Sequence, residues 1–101
     1  MEFEVIFGQD YPYDPPFIRV VRPRFAFHTG HITVGGSICM QILTKSGWTV
    51  AISMENLFVD ILTTICCGGG RLDLKNYATP YSREESREAF ARVAKDHGWL
   101  K

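Results

Sequence analysis

The groups able to do chemistry in this sequence are few: three cysteines (Cys39, Cys66 and Cys67) and three histidines (His28, His31 and His97). A cysteine thiolate is both a strong nucleophile and a metal ligand. Spacing sorts the three thiols. Cys66 and Cys67 are adjacent and run into Gly68-Gly69-Gly70. Neighbouring cysteines close only strained rings, and a structural zinc site needs four ligands at wider spacing, so the pair reads as ordinary packing and no metal is expected. The glycines follow a helical stretch rather than precede one, so they form a helix stop and not a phosphate cradle. His97 lies near a predicted helix end, where it suits the helix dipole or the last carbonyls. Cys39 stands apart, in the short apolar run Ile38 to Leu43 with His28 and His31 upstream. On its own it reads as a small buried hydrophobe sooner than as a nucleophile.

Several elements must position these groups. Phe3 to Phe7 reads as a strand in which Phe3, Val5 and Phe7 alternate against Glu4 and Ile6. Gly8 to Pro16 is turn chemistry, stiffened by Pro12, Pro15 and Pro16, and a second strand over Phe17 to Val21 closes at Pro23, giving a short antiparallel meander. Arg24 to Trp48 has no helical period. It reads as a long extended segment packed on the domain, and connections of that length are often functional. Ser53 caps a predicted helix from Met54 to about Cys67, with Leu57, Ile61, Leu62 and Ile65 as its apolar stripe. Ser82-Arg83-Glu84-Glu85 spells a capping box, so a last helix starts at Arg83, buries Phe90, Val93 and Ala94, runs to about His97 and stops at Gly98. Strands first and helices last give an α+β domain.

Composition narrows the partners. A chain of 101 residues with 46% hydrophobic residues supports one domain over residues 1–101 and one modest core. Eleven basic residues balance eleven acidic ones, so no nucleic acid is expected as a partner. Arg19, Arg22 and Arg24 alternate along one edge and read as a solvated face. An odd cysteine count without regular spacing is no disulfide framework, and neither a leader peptide nor an 18-residue apolar run is present. The expectation is a reduced, soluble, intracellular protein with no membrane partner.

Three segments, in order, carry a resemblance. Asp10-Tyr11-Pro12-Tyr13-Asp14-Pro15-Pro16 resembles the Y-P-F-x-P-P segment of ubiquitin-conjugating enzymes. Gly36-Ser37-Ile38-Cys39-Met40-Gln41-Ile42-Leu43 is similar to their G-x-I-C-L-x-I-L active-site segment, and Trp48 follows where that family places its tryptophan. Thr44-Lys45-Ser46-Gly47-Trp48 and the C-terminal Tyr81-Ser82 helix ending in His97-Gly98-Trp99 resemble the Q-type branch. The implied fold is the α+β ubiquitin-conjugating (UBC-like) core, an antiparallel meander plus C-terminal helices. Met1 falls at the start of what would be the third strand, so the usual N-terminal helix and first strands are expected to be missing. In the family that helix contacts the activating enzyme and many ligases.

The resemblance implies that Cys39 accepts ubiquitin as a thioester and passes it to an acceptor amine or hydroxyl. Ubiquitin, the ubiquitin-activating enzyme and a ubiquitin ligase would be its partners, in the cytoplasm or nucleus. ATP is consumed by the activating enzyme, so no cofactor is implied. The family's H-P-N tripeptide is absent, as it generally is in the Q-type branch. Counting back from Cys39 puts Thr29-Gly30-His31 on it, with His31 at the asparagine position; counting forward from Pro16 puts His28 there. The first count is shorter and keeps Ile32 in register. His31 then donates to the oxyanion, acts as a general base, or only hydrogen-bonds the loop. Tyr13, Val50 and Ala51 fall where the family's ligase-binding loops lie, with Val50 in place of the usual proline, and Trp48 reads as a packing anchor. Two rival readings stay open. A non-catalytic ubiquitin-binding or scaffold variant fits the missing elements, and a cysteine hydrolase would need an acid to orient His31, for which the sequence offers no convincing candidate.

Overall fold

In a computed structural model the described residues are 1–27 and 29–98. Two antiparallel strands, β1 (Glu2–Ile6) and β2 (Phe17–Arg22), are followed by a long irregular segment, then by helices α1 (Met54–Cys67) and α2 (Arg83–Asp96). β1 pairs with β2 through Phe3↔Val20 and Val5↔Ile18, with an irregularity after Glu2. The far edge of β2 is covered by the irregular segment: Arg19 bridges Ser37, and the Val20 N–H donates to the Gly36 carbonyl at 2.8 Å. The meander expected from sequence therefore exists, with its third member reduced to a bridge.

β2 is the centre of the core because its alternate residues face different layers. Ile18 and Val20 are fully buried and join Ile32, Ile38, Leu43, Tyr81 and the inner stripe of α1 in one apolar cluster. That stripe is Leu57, Ile61 and Ile65. At about 1.5–3 kcal/mol for each buried aliphatic side chain, it anchors α1. Leu62, expected in the stripe, is 45% exposed; a helix advances about 100° per residue, which carries it off the face that holds Ile61. Phe7 departs likewise: it lies beyond β1, 53% exposed, and packs edge-on against Tyr11 at 4.6 Å.

Ser53 caps α1 by accepting the Asn56 N–H, and Ser82 and Glu85 form the reciprocal capping box of α2. α2 buries Ser86, Ala89 and Ala94, while Phe90 and Val93 are half-buried. Small residues are needed on this face because the turn at Gly35 lies directly on the helix, close enough for the Ser86 hydroxyl to donate to the Gly35 carbonyl. Phe90 instead packs edge-on against Phe17 at 5.8 Å.

The three arginines are not one solvated face. Arg19 is 6% exposed, donates to Glu4 at 2.8 Å and to the Tyr81 carbonyl at 3.0 Å. Arg24 makes a two-pronged pair with Glu85 and stacks 4.6 Å over the Tyr81 ring. Arg22 alone is largely exposed, paired with Glu2. The alternation that suggested an edge places Arg19 beside the one carboxylate of β1 that also meets Arg83 of α2 at 2.6 Å. Hydrogen bonds from Arg83 and then Arg19 hold the Glu4 carboxyl down at about 2. Partial burial works to raise Glu85, but the Arg24 and Ser82 hydrogen bonds leave it below the usual carboxylate range. Cys66 and Cys67 also correct the expectation of packing: both are exposed at the end of α1. Among the described residues, no helix is long and apolar enough to cross a membrane and no cluster of side chains suits a metal ion.

Candidate active site around Cys39

Two short stretches of the irregular segment fold back on each other to present Cys39. Ile32 bridges Ile38, the Thr33 N–H donates to the Ser37 carbonyl at 2.9 Å, and the Cys39 N–H donates to the His31 carbonyl at 2.7 Å. The turn between them is closed by the Gly36 N–H on the Thr33 carbonyl and by a buried contact of 2.6 Å between the Thr33 and Ser37 hydroxyls. Gly36 takes φ +92 and leaves no room for a side chain, since a Cβ there would stand 2.5 Å from the Tyr81 ring. Ile32 and Ile38 point into the core, and their neighbours His31 and Cys39 line one cleft.

His31 holds φ +58, the single non-glycine residue with positive φ among the described residues. Such a conformation costs an L-residue about 1–2 kcal/mol and clusters at functional positions. Its ring rests on the end of α1. A Cβ on Gly68 would come within 2.7 Å of His31 Cδ2, and the Gly30 N–H donates to the Gly68 carbonyl at 3.1 Å. The glycines after α1 therefore do more than stop a helix: they let the His31 loop approach. The sequence carries this as small residues in both segments, a pattern without the partner that would explain it.

The cleft over Cys39 is open, about 630 Å³, and is bounded by His31, Met40, Gln41, by Asp60, Thr63 and Thr64 of α1, and by His97. A second groove of about 370 Å³ runs from Cys39 and His31 to Val93, Asp96 and His97 at the end of α2. Cys39 is half-buried, and burial pushes its thiol above the ordinary cysteine range. The two backbone amides at the thiol are already engaged. The amide of Cys39 is engaged by His31, and that of Met40 donates to the Ile38 carbonyl at 3.1 Å. Among the side chains that line the cleft, that of His31 belongs to the residue whose backbone pairs directly with Cys39.

Sequence reasoning paired Cys39 with His31 but left out Asp60, Asp96 and His97. The helical period could have placed Asp60 on the flank of α1 between its buried and exposed faces. Nothing in the sequence brings the last turn of α2 to Cys39, because that depends on how α2 packs across the Gly35 turn. His28 and Trp99, which entered the sequence argument, lie outside the described residues.

Tyr13, Val50 and Ala51 lie away from this cleft, in two loops held side by side. Tyr13 is 78% and Val50 55% exposed, and Ala51 is exposed too. Trp48 joins the loops: its indole N–H donates to the Pro12 carbonyl at 2.8 Å and its ring lies 6.4 Å from Tyr11. Lys45 adds a weak ion pair to Asp14 at 3.7 Å. The chain from Cys39 reaches Trp48 through a single 3-10 turn, Gln41–Leu43, whose Gln41 carbonyl accepts from the Thr44 N–H and hydroxyl. Trp48 is thus a packing anchor, as its sequence context suggested.

Comparison with known proteins gives the same direction. Residues 1–97 match the family model described as ubiquitin-conjugating enzyme. Ubiquitin-conjugating enzyme E2 25 of Caenorhabditis elegans is 37% identical over 102 residues, covering 96% of this chain and 26% of its own length. Ubiquitin-conjugating enzyme E2 Q1 of Homo sapiens is 34% identical over 96 residues, 92% of this chain and 22% of the relative. Ubiquitin-conjugating enzyme E2Q-like protein 1 of Homo sapiens is 33% identical over 99 residues, 93% of this chain and 60% of the relative. The chain thus spans about a quarter of the length of the first two.

Proposed function

The chain belongs to the ubiquitin-conjugating enzyme family, in its Q-type branch, and from that premise we propose that it carries ubiquitin as a thioester on Cys39. The observation that carries this reading is the 2.7 Å bond from the Cys39 N–H to the His31 carbonyl, which sets thiol and imidazole on one cleft wall. In charging, the Cys39 sulfur attacks the ubiquitin thioester carbonyl on the activating enzyme. A new C–S bond forms and the activating enzyme's sulfur leaves. In discharge an acceptor amine or hydroxyl attacks the carbonyl on Cys39, and the negative charge that develops on oxygen is met by an N–H of His31. Loss of one such donor elsewhere removes about 2.7–4 kcal/mol of transition-state stabilisation.

The exposed pair of loops around Tyr13, Val50 and Ala51 is the surface offered to a ubiquitin ligase. Its apolar side chains stand free while Trp48 keeps both loops at a fixed separation. Three free thiols suit a reducing compartment, the cytoplasm or nucleus. A non-catalytic ubiquitin-binding role has one observation in its favour, the burial that pushes the Cys39 thiol up and so disfavours its nucleophilic thiolate.

Incubation with activating enzyme, ATP and ubiquitin, read on a non-reducing gel, tests the carrier. The expected result is a thiol-sensitive adduct that disappears in Cys39→Ala and becomes a thiol-resistant ester in Cys39→Ser. No adduct on the wild type, or one that survives Cys39→Ala, overturns the reading. Binding of free ubiquitin to the uncharged protein would then mark the scaffold role.

A further inference from the structure

The groove that runs from Cys39 to the end of α2 does not stop there. It shares Ile32, Thr33 and Val93 with a dimple of about 120 Å³ that is lined further on by Phe27, Val34, Ala89 and Arg92. A furrow thus leads from the thiol back along α2, and its character changes on the way. Its carboxylate, Asp96, stands at the Cys39 end. One turn back the walls are apolar and the single charged side chain is Arg92.

Arg92 is placed for something outside its own helix. Glu88 and Asp96 lie one turn to either side of it on α2, the spacing at which helical ion pairs form. Among the described residues Arg92 nevertheless pairs with neither, and Asp96 makes no ion pair either. Val34 is 56% exposed on the turn between Thr33 and Ser37, while buried Ala89 contributes only a methyl group, so the dimple is an apolar seat beside an unpaired cation.

Two chains must reach the carbon bound to Cys39, the donor's and the acceptor's. The wider cleft along α1, about 630 Å³, suits the chain that arrives with a folded donor. The furrow along α2, about 370 Å³ before the dimple, suits a single extended segment. From Asp96 back to Ala89 is about 10 Å at 1.5 Å per helical residue. An extended chain covers that distance in about three residues.

The geometry points to an acceptor recognised by sequence: an extended segment whose lysine meets Cys39 beside Asp96, whose aliphatic residue three positions away fills the dimple, and whose neighbouring Glu or Asp pairs with Arg92. The segment's charges then oppose those of the furrow at both ends. This rests on Cys39 being the acyl carrier.

The test loads Cys39 chemically with an acetyl group, in a Cys66→Ser/Cys67→Ser background because both of those thiols are exposed. Peptides serve as acceptors. The lysine amine displaces Cys39 Sγ from the acetyl carbon, giving an amide and a free thiol, and intact mass follows the loss. The reference peptide, blocked at both ends, is Glu-Leu-Ser-Ser-Lys-Ser-Ser-Leu-Glu, which presents the same groups in either chain direction. A second peptide carries arginine for each glutamate, and a third carries serine for each leucine. The reference should react about two- to fivefold faster than the arginine peptide, the range of an exposed ion pair. Arg92→Glu should invert that order, and salt at about 1 M should level it. Arg22→Glu makes the same change of net charge outside the furrow and should leave the order alone. The serine peptide should lag the reference, and Val34→Ser should narrow that gap. Each comparison is a ratio within one protein, so a variant that folds less well still decides. Equal rates for the glutamate and arginine peptides on the wild type, an order that Arg92→Glu leaves unchanged, or one that Arg22→Glu inverts as well overturns the proposal. A serine peptide as fast as the reference overturns the apolar seat. Enzymatic charging is measured separately: its failure would sink the carrier reading, while the peptide order on the acetylated thiol still decides the furrow.

Discussion

Replacing Gly36 by alanine should unseat the turn that presents Cys39, and the loss can be worked out from its surroundings. The residue holds φ +92, so a side chain there is strained by about 1–2 kcal/mol before any contact is made. The added Cβ would also lie 2.5 Å from both Cγ and Cδ2 of Tyr81. That ring cannot step aside freely. It is 4% exposed, its hydroxyl accepts the Phe25 N–H at 2.8 Å, and Arg24 stacks on it. Overpacking of this kind adds about 1–3 kcal/mol, giving a total of about 2–5 kcal/mol. Small domains hold about 5–15 kcal/mol in all, so Gly36→Ala should lower the urea midpoint markedly with an unchanged slope, and lower Tm by about 8 °C or more. Gly69→Ala is the control: Gly69 has φ +69 but nothing within 4 Å of the added carbon, so it should show the backbone strain alone. Cys39 should alkylate faster in Gly36→Ala than in Gly69→Ala, because only the first loosens the hairpin. Equal losses for the two variants would refute the steric argument, and a loss below about 1 kcal/mol for Gly36→Ala would refute the strain argument as well.

Other consequences are open to the same kind of measurement. Glu4 sits at about 2, against an ordinary value of 4.5, so the stability it contributes is complete above 4.5 and is lost as pH falls from there towards 2. Glu4→Gln should be less stable than wild type at pH 7 and should flatten the fall of the urea midpoint across that acid window; an unchanged slope there would remove the carboxylate from the account. His31→Gly should be more stable than His31→Ala by about 1–2 kcal/mol, since glycine accepts φ +58 without strain. Both should discharge loaded ubiquitin more slowly than wild type, and wild-type discharge in either would leave His31 a loop residue only. Trp48→Phe keeps the ring and loses the bond to Pro12, which should lower stability by about 0.5–1.5 kcal/mol and speed amide exchange at Tyr13 and Asp14, whose N–H groups bond to Asp10.

The helices were legible because their signals are local. Ser53, the Ser82 to Glu85 box and the period of Leu57, Ile61 and Ile65 each act within a few residues, and the structure follows them to within one position. Leu62 misled because an apolar residue beside the stripe carries no sign of which way it faces. The arginines misled for a different reason: Arg19 reaches Glu4 and Tyr81 through pairings fifteen and sixty-two residues apart, and strand alternation says nothing of a carboxylate that distant. Cys39 and His31 were found together because counting back from Cys39 along the family's segment lands on His31; the hairpin that pairs them was not foreseen. Neither was His97, since only the packing of α2 on the Gly35 turn carries it to the cleft.

That hairpin makes the site a question of parity. Ile32 and Ile38 face inward while Cys39 faces the cleft, an alternation set by the number of residues between Thr33 and Ser37. One residue inserted there would slip the pairing by one, sending Cys39 towards the core and Ile38 towards water. For this pairing to keep Cys39 on the cleft and Ile38 in the core, the stretch from His31 to Cys39 can change its register only in steps of two.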